Sequence, residues 1–142
     1  MTRRLPRAVL HCFGGAERAR GSVRRHDAPE DSRAAFPQHA IAAVPVRAGS
    51  GIRMRILEAW ARGLPVVATP VAARGLAVSD GCELMLADSP ARFADAIARI
   101  HGDAALRARL VAAGVAYLRA HHDARHQTRA LLDVYDAARG SP

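Results

Sequence analysis

The feature that most constrains this chain is the order of short pieces across residues 44–76, VPVRAGSGIRMRILEAWARGLPVVATPVAARGL. Val44, Pro45 and Val46 end an apolar run, and Gly49-Ser50-Gly51 breaks the chain before a helical stretch. That stretch has Ile56, Leu57, Trp60 and Ala61 at helical spacing and closes at Gly63. Pro65 to Thr69 is then a second short apolar strand. A strand–glycine loop–helix–strand series predicts a parallel α/β sheet, whose ligands sit in the loops after the strands. A glycine loop opening a helix also exposes backbone N–H groups at the positive end of the helix dipole, which suits a phosphate.

Around this block the chain divides by texture. Residues 1–33 are basic and lack a sustained period, so they are expected to be a poorly structured segment. Residues 8–13 can form a strand, whereas 19–33, with Pro29, is expected to be loop. From residue 34 a folded domain is expected to run to 142. Residues 40–46 are apolar throughout, as in a strand buried on both faces, with Pro45 marking its end. Residues 83–87 form a third short strand after the turn at Asp80-Gly81. Ser89-Pro90 is a helix start, leading to Phe93, Ala94, Ile97 and Ile100 on one face and an end at Gly102. Asp103 can cap a helix with Leu106, Leu110, Val111 and Val115 on its buried side. Asp123 can cap a last one carrying Leu131, Leu132, Val134 and Tyr135. The fold class is therefore α/β, a parallel sheet followed by a helical tail. Three strands fall short of the five or six usual in a doubly wound sheet, so this is part of one.

Composition narrows the function. With 142 residues and half of them apolar, the chain can bury a core, although only 4% are aromatic. The net charge of +8 suggests nucleic acid until it is located: residues 1–27 hold seven arginines against Glu17 and Asp27. The remainder is nearly balanced, and no basic stripe interleaved with aromatics occurs, so no specific nucleic-acid partner is expected. All 21 basic residues are arginine, a pattern of coding bias. Cys12 and Cys82 stand far apart with no CxxC pair, arguing against a disulfide scaffold or zinc site. No run suits a transmembrane segment or a signal-peptide core. A cytoplasmic location follows, with peripheral membrane contact through Arg107, Arg109 and Arg119 as the alternative to a solvated helix face.

The block resembles the C-terminal half of group-1 (family 4) glycosyltransferases of the GT-B fold. Their pattern is a strand ending in Pro-Leu-Arg, then Gly-Ser-Gly, a basic residue two positions on, Leu-Glu-Ala, Gly-x-Pro-Val-Val-x-Thr and Gly-Leu. Here it stands as VPVR at 44–47, GSG at 49–51, RMRILEAWARGLPVVATPV from 53 to 71, and Gly75-Leu76. Residues 80–97 continue the likeness, which covers about 34–138. The resemblance implies a partial Rossmann-like parallel sheet that binds a nucleotide-sugar, the donor substrate rather than a cofactor. The partner would be an acceptor glycan or lipid hydroxyl.

By the same resemblance Glu58 matches the glutamate that accepts from the ribose hydroxyls, chemistry an ionised carboxylate suits. Its plain alternative is a pair with Arg62 one turn on. Gly49, Ser50 and Gly51 fall where the family's loop approaches the pyrophosphate and sugar. Arg55 stands where many members have lysine; Arg53 is a second candidate cation and Thr69 a third-rank contact at the same mouth. Ser50 replaces the first glutamate of the E-x7-E pattern that many members carry. Residues 1–30 hold no counterpart of the Arg and Lys that clamp the pyrophosphate in the family. The acceptor domain is expected to be missing, so the chain supplies the donor half only; the competing expectation is an inactive fragment or a stand-alone nucleotide-binding module. Elsewhere, His122 and His126 are divided by Asp123, Trp60 belongs to the core stripe, and no serine has a histidine at motif spacing, so metal binding and nucleophilic catalysis lack support.

Overall fold

The computed structural model describes residues 8–31, 35–37, 40–49 and 54–140, without the side chains of 124–126 and 130. One three-stranded sheet is built on β4 (Ala42–Val44), β5 (Val66–Ala68) and β6 (Met85–Leu86), all parallel, in the order β4-β5-β6. Helices α1 (Met54–Ala61), α2 (Pro70–Ala73), α3 (Pro90–Gly102), α4 (Ala104–His122) and α5 (Ala124–Arg139) complete this part. Its strands are shorter than the apolar runs that encode them: residues 40–46 yield three paired residues and 83–87 yield two.

β5 is wholly buried, and its alternation divides the core. Val66 and Ala68 face Ile56, Leu57, Ala59 and Trp60 of α1, while Val67 faces Ala96 and Ile100 of α3 with Leu106 and Leu110 of α4. A parallel sheet covered on both faces explains why its strands are continuous apolar runs rather than alternating ones. The expected helix starts are present. Ser89 Oγ accepts from Arg92 N at 3.3 Å, Pro90 occupies the first turn, and Asp103 Oδ1 accepts from Leu106 N at 2.8 Å. Each satisfies a backbone donor that a helix start leaves orphaned. Leu106 and Leu110 are buried as expected, but Leu131, Leu132, Val134 and Tyr135 of α5 are 55–66% exposed.

α4 joins the two layers. Beyond Leu110 it presents Gly114 to Trp60, and a Cβ at Gly114 would lie 2.3 Å from Trp60 Cδ1. Trp60 is fully buried and leans on Tyr117 with ring centroids 5.3 Å apart. Tyr117 Oη in turn accepts from Ala77 N at 3.0 Å, fastening α4 to the loop after α2. In a core with few aromatics, this single indole fills the space between α1 and α4.

Residues 8–26, expected to hold no more than one strand, form a second small sheet. β1 (Leu10–Phe13), β2 (Arg18–Arg20) and β3 (Val23–His26) run in the order β1-β3-β2, β1 parallel and β2 antiparallel to β3. The loop reading therefore fails at 19–20 and 23–26. Arginines hid the strands, yet the Gly21-Ser22 pair between them is a two-residue hairpin signal, and Gly21 takes φ 57°.

At the turn before β6, Ser79 N donates to Glu83 Oε2 at 2.8 Å and Leu86 N to Asp80 Oδ1 at 2.7 Å. Burial pulls the Glu83 carboxyl upward, but the Ser79 N–H, the Cys82 thiol and its own backbone N–H outweigh burial and hold it below its ordinary range. A group depressed on folding stabilises at neutral pH and loses that contribution as pH falls through the acid range, below about 4.3. In urea titrations Glu83→Gln is expected to be less stable than the parent at pH 7, with the gap closing below about pH 4.

Gly114→Ala sets two effects against each other. Alanine gains up to about 1 kcal/mol of helix propensity, whereas overpacking a core that cannot yield costs about 1–3 kcal/mol. Trp60 has no exposed side toward which to move, so a net loss of stability is expected by chemical denaturation, accompanied by a change in the emission of the chain's one tryptophan.

Candidate functional site: the carboxyl ends of β4 and β5

The edge strand β4 and the central strand β5 end side by side, and the loops that leave them are joined by a single side chain. Thr69 follows β5 in extended conformation, φ −77° and ψ 156°, as the N-cap of α2. Its hydroxyl donates to Val46 O in the loop after β4 and accepts from Ala72 N at 3.0 Å. Thr69 N also donates to Val44 O at 3.3 Å. Thr69 is buried and both its hydroxyl functions are engaged inside the protein. It is thus a clasp holding the β4 loop, not a free ligand group as its strand-end position suggested.

From that clasp the loop runs through exposed Arg47 and Ala48 to Gly49, whose φ of 132° only glycine adopts without strain. Ser50, Gly51 and Arg53 lie outside the described residues. α1 then turns its apolar side inward, burying Ile56, Leu57, Ala59 and Trp60. Arg55 is exposed on the first turn and Glu58, three residues on, is half-buried. The Glu58 carboxylate has no hydrogen bond or ion pair among the described residues. The alternative pairing with Arg62 is not formed: Arg62 Nη1 reaches the backbone oxygen of Glu58 at 3.4 Å and its guanidinium lies 5.0 Å over the Phe36 ring.

A cleft of about 960 Å³ lies between β1 and the open edge of β4. Its walls are mainly apolar, from Leu10 and Phe13 to Phe36, Ile41 and Val44. Arg55, His101 and Arg107 also line it, and the buried Arg107 Nε has no hydrogen-bond partner among the described residues. Its volume falls in the range of small-molecule sites. Among the predicted site residues that are described, Arg55 lines this cleft, whereas Gly49, Glu58 and Thr69 do not. The structure therefore gathers Gly49, Thr69 and the start of α1 at the carboxyl ends of the strands, with Arg55 facing the neighbouring hollow. Sequence reasoning passed over His101, which carries no motif, and Val46, which acts through its backbone; Arg107, read there as a solvated or membrane-facing arginine, lines the cleft instead.

A family model described as glycosyl transferase-like matches residues 1–133. The chain belongs to that family. Its fold is similar to the C-terminal domain of a glycosyl transferase group 1 family protein from Francisella tularensis. That likeness has a TM-score of 0.58 and 19% identity, over 73% of this chain and 55% of that one. The chain thus spans about half the length of that structure. No curated protein matches it. The mixed α/β architecture with its parallel β4-β5-β6 sheet is that of a GT-B C-terminal domain. The family match begins at residue 1 and so includes the β1–β3 sheet as well as the motif block. Among the described residues, no helix is long and apolar enough to cross a membrane.

In this glycosyl transferase-like chain the clasp is open to direct measurement. Thr69→Val keeps the side-chain shape and removes the hydroxyl, leaving the Ala72 N–H without its cap. Loss of an N-cap costs about 0.5–2 kcal/mol, so a corresponding fall in unfolding free energy is expected in a urea titration.

Proposed function

We propose that this chain supplies the donor-binding half of a glycosyltransferase, which transfers a sugar from a nucleotide-sugar to an acceptor hydroxyl. The observation that carries the reading is the half-buried Glu58 carboxylate, without a partner among the described residues, on the helix that follows the β4 loop. A carboxylate in that state has both oxygens open to vicinal hydroxyls, as a ribose presents them. In this reading Glu58 receives the ribose, and Arg55 and Arg53 meet phosphate oxygens. Gly49, Ser50 and Gly51 let the backbone approach the pyrophosphate and sugar. The nucleotide-sugar is the donor substrate, and no cofactor is invoked.

Transfer further requires a surface that excludes water and holds the acceptor hydroxyl in line with the donor. We assign that surface to a unit other than the β4-β5-β6 layer, with a glycan or lipid as the acceptor. The chain by itself then binds donor without turning it over.

Calorimetry with a nucleoside diphosphate tests this. A charge-assisted hydrogen bond contributes about 1.5–3 kcal/mol, so Glu58→Ala should weaken the nucleoside diphosphate by about ten- to a hundredfold. It should leave inorganic diphosphate, which lacks the ribose, unchanged. Equal weakening of both probes, or no binding of the nucleotide to folded protein, contradicts the assignment.

A further inference from the structure

The β2–β3 hairpin carries its arginines in a register that no internal contact explains. Arg18 stands directly opposite Arg25, and Arg20 opposite Val23, so Arg18, Arg20 and Arg25 share one face. Arg24 belongs to the other face, where its Nη1 donates to Gly21 O at 2.6 Å. Directly opposed residues of an antiparallel pair have Cβ atoms about 4.5–5.5 Å apart, and like charges there destabilise the pairing. All three arginines are exposed, and none has a hydrogen bond or ion pair with another described residue. Glu17 and Asp27, the nearest acids in sequence, do not neutralise them. With Ala16 and Val23 the three arginines line a cleft of about 490 Å³.

We propose that this face binds a multiply charged phosphoryl anion, with Arg18, Arg20 and Arg25 as its ligands. The guanidinium fork matches phosphate oxygens in a bidentate way that a point charge does not. The opposed pair, Arg18 and Arg25, converges on one phosphoryl group. Arg20, two residues along and so roughly 6.8 Å further down the strand, extends to a second. A diphosphate therefore fits better than a singly charged anion, and its charge offsets the repulsion built into the register. The hairpin is separate from the β4–α1 loop, so the inference stands independently of the donor-site reading. A free diphosphate and a phosphorylated lipid headgroup present the same chemistry to this face.

The test uses the full chain, inorganic diphosphate by calorimetry, and vesicles of phosphatidylcholine with and without phosphatidic acid. Arg18→Gln/Arg25→Gln should weaken diphosphate by at least about tenfold, the loss of one charge-assisted contact or more. A control of equal charge loss on exposed helix surface, Arg99→Gln/Arg139→Gln, should leave it unchanged. Arg20→Gln alone should weaken it several-fold, and binding should fall as salt rises. Since the double variant removes a repulsion, its thermal midpoint without ligand should equal or exceed that of the parent. Its dependence of nucleoside diphosphate affinity on Glu58 should persist, which separates this site from the donor site. Vesicle binding with the same Arg18/Arg25 sensitivity assigns the lipid source, and diphosphate binding without it assigns the free one. Equal weakening in both double variants, or no binding of either probe at low ionic strength, overturns the proposal.

Discussion

The approach of Trp60 to the bare Cα of Gly114 fixes the helix that carries the candidate ligands. The core is alanine-rich and poor in aromatics, so a single fully buried indole sets the spacing between α1 and α4. Because α4 also places Leu106 and Leu110 against α3, it spans both faces of the sheet. Displacing Trp60 would move α1, and with it the exposed Arg55 and half-buried Glu58. The indole Nε1 is buried without a hydrogen-bond partner among the described residues, a cost accepted for filling that space. The site's position is therefore a consequence of a packing contact on the same helix, two residues from Glu58 and five from Arg55.

A second constraint acts at the strand ends. Parallel strands leave their loops at one edge, and here Thr69 ties the loop after β4 to the start of α2 through one hydroxyl. Gly49, just beyond, takes a backbone conformation closed to other residues. Rigid anchorage on one side and glycine on the other gives a loop held at its base and free to bring its backbone close to a ligand. That is the part of the Gly-Ser-Gly motif carried by Gly49, its described residue.

How much of this was legible in the sequence depends on which physics encoded it. The caps at Ser89 and Asp103, the buried β5 and the α1 stripe were readable, because local chemistry and burial agree there. The hairpin of β2 and β3 was not, since exposed arginines mask strand propensity and only Gly21-Ser22 betrayed the turn. Gly114 carries no local signal of its role, which lies in a contact with a residue 54 positions earlier. Thr69 was read as a candidate ligand because of its place at a strand end, yet its hydroxyl is consumed by capping. The α5 apolar residues form a recognisable stripe, but the fold leaves them exposed, which periodicity alone does not reveal.

The central claim is that the carboxyl ends of β4 and β5, with α1, form a nucleotide site. Its most direct test is amide chemical-shift mapping of the isotopically labelled chain during titration with a nucleoside diphosphate. The account predicts saturable shifts concentrated at residues 46–58 and around Thr69, with β6 and α5 unmoved. Shifts confined to the β1–β3 sheet, or none at saturating nucleotide, would contradict it.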